Sequence, residues 1–138
     1  MVRKIAVLAG LGVLVCLIGC GGKYSDVIEV NQKFIQLMSD YVKAVDNVDN
    51  AGDAADAINE LADGMEKLSP QMKDLQKKYP ELQTAEDLPE ELQMSEQEME
   101  TVSRDFGASF MKLVPYMSDP EVQQAQQRLS QVMSNLGQ

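Results

Sequence analysis

The chain contains no histidine in its 138 residues. That absence removes the commonest general base, the Ser-His and Cys-His nucleophile systems, and most zinc and haem sites. It also rules out a di-iron carboxylate bundle, which needs Glu-x-x-His pairs. Glycine-rich phosphate loops and Gly-x-Ser-x-Gly elbows are missing too. Positive charge is scarce: 12 Lys and Arg stand against 22 Asp and Glu, for a formal charge of −10. Nucleic-acid binding, which demands a basic footprint, is therefore not expected. Only two cysteines occur, Cys16 and Cys20. The longest apolar run, Ile5 to Ile18, covers roughly 21 Å of helix, short of a hydrocarbon core of roughly 30 Å.

What the chain does have begins with that run. Arg3 and Lys4 precede it, and "LIGC" (Leu17, Ile18, Gly19, Cys20) closes it. A basic start, a short apolar stretch and a small residue before a cysteine form a secretory leader, to be set aside before fold reasoning. The stretch resembles the lipobox of bacterial lipoprotein precursors. The resemblance implies cleavage between Gly19 and Cys20, a diacylglyceryl thioether on Cys20, and acylation of the new amino terminus with palmitate-like chains. Cys16 is a poorer candidate because bulky Val15 precedes it. Buried acyl chains at about 0.8 kcal/mol per CH₂ would hold such a protein firmly to a membrane. Gly21, rather than aspartate, follows the cysteine. By the sorting rule of enterobacteria-like lipoproteins, that favours the periplasmic face of an outer membrane where the organism has one.

Removal of residues 1–19 takes Cys16 and commits Cys20, leaving no free thiol for a disulfide or nucleophile. Loss of Arg3 and Lys4 moves the formal charge from −10 to −12. Anionic lipid would repel such a domain, so the lipid must hold it at the membrane. We read 20–25 as the lipidated cysteine and a short tether, and 26–138 as one helical domain.

The spacing predicts helices throughout. Val27, Val30, Phe34, Leu37, Tyr41, Ala44 and Val48 alternate steps of three and four, beside a second column through Ile28, Ile35 and Val42. An apolar face this broad requires two neighbours. "DNVDNAGD" supplies a turn, with Asn50 and Gly52 suited to positive φ. Ala54, Ile58, Leu61, Met65, Leu68, Met72, Leu75 and Tyr79 carry the next stripe. Its unbroken phase favours a kinked continuous helix through Pro70 over a restart capped by Ser69. An acidic linker is expected over 80–94, with at most a helical turn near Pro89 to Leu92. Ser95 with Glu98 then reads as a capping box, stapled by Met94 and Met99. The third stripe is Met99, Val102, Phe106, Phe110, Leu113 and Met117. Ser118 with Glu121 repeats the capping box before Val122, Ala125, Leu129, Val132 and Leu136. The expected fold is all-α: a small antiparallel bundle of three to four amphipathic helices, the last two either separate or one helix bent at Pro115.

Candidate sites are few, and no catalytic residue or metal ligand is assigned. Asp49, Asp53, Asp56 and Glu60 gather near the first turn, but the EF-hand spacing is missing and acids at a helix start favour the macrodipole. Met65, Met72, Met99 and Met117 fall on core stripes, which suits packing better than Cu(I) binding. The last helix replaces charge with amides at Gln123, Gln124, Gln126, Gln127 and Gln131. Neutral amides are cheaper to desolvate than carboxylates, so Gln123, Gln124, Gln127 and Gln131 form a candidate partner face. The expectation is a non-catalytic, membrane-anchored envelope lipoprotein without a cofactor, serving protein interaction or structure. The alternative is a carrier of a small ligand or metal ion.

Overall fold

A computed structural model describes residues 22–84 and 89–136. Among the described residues four helices form: α1 (Ser25–Asp46), α2 (Ala51–Lys78), α3 (Glu90–Leu113) and α4 (Pro120–Leu136). Short 3-10 turns cover Pro80–Gln83 and Val114–Tyr116. There is no strand among the described residues, so the all-α expectation is met with four helices. The bent-helix alternative fails: after Leu113 the chain tightens into the 3-10 turn holding Pro115, and α4 returns in the opposite direction.

Chain-consecutive helices alternate in direction, but the packed pairs are not all antiparallel. The order across the molecule is α3, α1, α2, α4. Lys112 near the end of α3 pairs with Asp46 at the end of α1 at 2.6 Å, and Leu92 near the start of α3 packs with Tyr24 and Val27. Thus α1 and α3 run parallel. Glu121 and Gln124 of α4 lie beside Ala55 and Asp56 of α2, and Arg128 reaches Asp63 at 2.5 Å and Glu66 at 3.2 Å. Thus α2 and α4 are also parallel, and of the three principal helix contacts among the described residues the central α1–α2 one is antiparallel. The broad apolar face of α1 explains this, since α1 must cover itself with both α2 and α3.

The first turn uses capping chemistry rather than positive φ. Asn50 is extended, and its side chain accepts from the Asp53 backbone N–H at 3.0 Å. The Asp53 carboxylate accepts in return from Asn50 Nδ2 at 2.8 Å and from the Asp49 N–H at 3.1 Å. Gly52 is already helical, inside α2. α2 then continues through Pro70 without a break, as the unbroken stripe predicts.

Other boundaries move. α3 begins at Glu90, so Ser95 lies buried inside the helix and caps nothing, while Met94 is exposed. The 80–94 linker is accordingly shorter than expected. Asp119, not Ser118, starts α4: its carboxylate accepts from the Glu121 N–H at 2.9 Å, with Pro120 as the first helical residue. That arrangement suits proline, whose missing N–H is an orphan there anyway. Phe110 is 43% exposed instead of buried. The inward line of α3 is Leu92, Ser95, Met99, Val102, Phe106, Ser109 and Leu113, with serine at two core positions.

Packing concentrates at two ends. The main core joins Val45, Ile58, Leu113 and Val122, all fully buried, with Tyr41 against Phe106 at a ring distance of 4.9 Å. A smaller cluster of Tyr24, Val27, Tyr79 and Leu92 closes the end nearest residue 22.

Candidate functional site

Leu17, Ile18, Gly19 and Cys20 lie outside the described residues. What the structure describes is the end of the bundle to which they connect. Tyr24 is buried, and α1 starts at Ser25, so packing begins inside the stretch expected to be tether. Tyr24 stacks on Tyr79 at 5.2 Å with a tilt of 59°. The Tyr79 hydroxyl lies 2.8 Å from two acceptors, the Lys23 carbonyl and Asp26 Oδ1, and donates its single proton between them. Lys78 Nζ meets Asp26 Oδ2 at 2.6 Å, and Lys23 Nζ meets Glu81 Oε1 at 3.0 Å. Lys78, and then Tyr79, hold the Asp26 carboxyl below its ordinary range. Lys23 does the same to Glu81, helped by a backbone hydrogen bond. The start of α1 is thereby tied to the end of α2 by an aromatic stack, a phenol and two ion pairs.

Beside this tie lies an apolar groove. α2 and α3 flank α1 and barely touch each other at this end, and α4 is too short to cover the last turns of α2. Val27, Val30 and Phe34 of α1 line the floor, Met72 and Leu75 of α2 with Tyr79 just beyond it one wall, and Met99 of α3 the other. This part holds about 280 Å³. It continues through Val27, Asn31, Leu82 and Met99 into a second part of about 470 Å³ along Leu92, Ser95 and Ser103. Polar side chains, Glu96 and Glu100 among them, edge the opening. No separate signal for the groove is legible in the sequence, because Val27, Val30, Phe34, Met72, Leu75, Tyr79 and Met99 sit on the same stripes as the core. Among the described residues, the 17-residue α4 stops short of the last turns of the 28-residue α2 beside it.

The amide face divides. Gln124, Gln127 and Gln131 line a shallow polar cleft of about 670 Å³ with Ala55, Asp56 and Asn59 of α2. Gln123 stands apart, its Nε2 lying 3.4 Å from the carbonyls of Met117 and Ser118. The four acids of the first turn also divide: Asp53 is engaged in the helix cap and Asp56 faces the polar cleft. Among the described residues no three acidic or cysteine side chains gather as metal ligands. No described helix is long and apolar enough to cross a membrane.

At the opposite end, Phe110 and Met111 (69%) of α3 and Val114 (51%) of the following 3-10 turn are exposed apolar residues. Comparison with protein-family models, with curated proteins and with solved structures returned no match.

Proposed function

We propose that this protein is a lipid-anchored lipoprotein of the cell envelope whose helical domain is a non-catalytic interaction or structural module. The observation that carries the reading is the closeness of the anchor motif to the packed domain: Tyr24, already stacked on Tyr79, lies four residues beyond Cys20. A lipid on Cys20 then holds the Tyr24–Tyr79 end at the bilayer through almost no slack. The 28 residues of α2 span about 42 Å, so the opposite end, with Phe110, Met111 and Val114, stands well clear of the headgroups. In an organism with two membranes, Gly21 after the cysteine favours the periplasmic face of the outer one. A non-catalytic role suits the placement of the titratable groups: burial alone pushes up the Tyr41 phenol, and the other shifts arise from hydrogen bonds and ion pairs on the surface rather than from a shared cleft.

Metabolic labelling with palmitate, followed by crosslinking in intact cells, tests this. The wild-type chain should carry label and capture one stoichiometric partner, Cys20→Ala should carry none, and Cys16→Ala should match wild type. Equal labelling of wild type and Cys20→Ala counts against the anchor.

The groove favours a second reading, a carrier of a small apolar ligand. A shift in melting temperature with added apolar ligand supports it, since only a ligand of the native state stabilises by mass action.

A further inference from the structure

We propose that one acyl chain of the Cys20 lipid folds back into the apolar groove of its own domain whenever the protein is away from a bilayer. The proposal rests on the lipid-anchor reading above.

The position of the chain start is the first argument. A Cβ on Gly22 would lie 2.9 Å from Glu91 Oε2, so Gly22 sits against the first turn of α3. The next residue, Leu92, lines the groove. Two peptide units separate Cys20 from Gly22, a reach of about 7 Å. A lipid on that sulfur therefore begins at the groove mouth rather than across the bundle.

Length is the second. Along α3 the lining runs from Leu92 to Ser103, about 16 Å of helix at 1.5 Å per residue. One acyl chain fills half of a hydrocarbon core of roughly 30 Å, or about 15 Å.

Charge is the third. Glu91, Glu96 and Glu100 lie at or beside the opening. They disfavour an anionic free fatty acid or phospholipid headgroup. A chain attached through a glyceryl thioether or an amide carries no charge there. The lining itself accepts a flexible chain, because Met72 and Met99 are unbranched side chains that can repack around it. Inside a bilayer the same chain has an equally apolar and roomier environment, so the groove holds it only off the membrane.

The test feeds cells a diazirine-bearing palmitate analogue and purifies the full mature protein. One portion is depleted of detergent and another is reconstituted in phosphatidylcholine vesicles before irradiation. In the depleted sample, mass spectrometry should place the label within one chain, on Val27, Leu82 or Met99. In vesicles it should pass to phospholipid. Met99→Glu, and independently Leu82→Glu, should lower groove crosslinking at least about tenfold, since a carboxylate against an acyl chain must be desolvated. Both variants should retain wild-type far-ultraviolet circular dichroism, which shows that they remain folded. Analogue on Cys20 with crosslinks only outside the groove overturns the docking and leaves the anchor standing. Covalent dimers overturn docking within the same chain. No analogue on Cys20 overturns both readings.

Discussion

Gly64 of α2 lies directly against Leu37 of α1: a Cβ built on Gly64 would stand 3.1 Å from Leu37 Cγ and closer still to both methyl groups. The missing side chain of Gly64 makes room for Leu37 in the central α1–α2 contact. Alanine there gains about 1 kcal/mol of helix propensity but overpacks the contact at a typical cost of about 1–3 kcal/mol. Gly64→Ala is expected to destabilise the domain by about 1 kcal/mol. In a Leu37→Ala background the sign should invert, because the obstructing branch is gone. Denaturant unfolding of the four proteins in a double-mutant cycle measures this. An unchanged sign in the Leu37→Ala background removes the close approach as the cause.

The tie between Tyr79 and Asp26 predicts a pH dependence. Asp26 titrates below its ordinary value of 3.8, chiefly because Lys78 and then Tyr79 hydrogen-bond its ionised form. A carboxyl depressed in the folded state stabilises fully above its unfolded value, and that contribution is lost as pH falls through the lower folded value. Asp26→Asn should therefore be less stable than wild type at neutral pH, and the gap should close on acidification below about 3.9. The pair is solvent-exposed, so salt should narrow the gap as well. Denaturant unfolding of the two proteins across this pH range measures the gap. A gap that stays constant from neutral to strongly acidic solution removes Asp26 as its origin.

The helical stripes of α1 and α2 were legible because apolar residues occupy nearly every inward position. α3 was harder. Its inward line passes through Ser95 and Ser109, which hydropathy reads as polar, so the capping-box pattern falls on a residue that is in fact buried. Phe110 then looked like the natural core residue, although it lies one position beyond the one that faces α1. Serine is small enough to be buried at these positions, and the Ser109 hydroxyl is satisfied by its own helix at the Phe106 carbonyl, 2.8 Å away. The order α3, α1, α2, α4 was not legible, since periodicity gives the width of a face and not the partner that covers it. The groove follows from that order and from the short α4, so it was hidden for the same reason. The lipobox residues were legible from the pattern alone and lie outside the described residues.

Ser109 offers a check on the close packing of α3 against α1. Removing its hydroxyl takes away only a hydrogen bond made within the helix, and alanine is the better helix former. Ser109→Ala should change stability by no more than about 0.5 kcal/mol. Ser109→Leu inserts three carbons where the side chain is only 2% exposed, and should cost about 1–3 kcal/mol. If the leucine variant proves as stable as wild type, the two helices are not held apart by small side chains at this level.

Leu113 and Phe110 decide the register of α3 most directly. The two lie three residues apart, and a hydropathy reading places both in the core. Leu113 is completely buried among Val45, Ile58 and Val122, whereas Phe110 is 43% exposed. Truncating a buried leucine loses its transfer free energy and leaves a cavity, so Leu113→Ala should cost about 2–5 kcal/mol. Phe110→Ala creates no enclosed space and should cost less than about 1 kcal/mol, despite removing the larger side chain. Thermal or denaturant melts of the two variants give the comparison. A larger loss for Phe110→Ala than for Leu113→Ala would turn α3 by about a third of a turn, take Ser109 off the inward line, and move Met99 out of the groove wall.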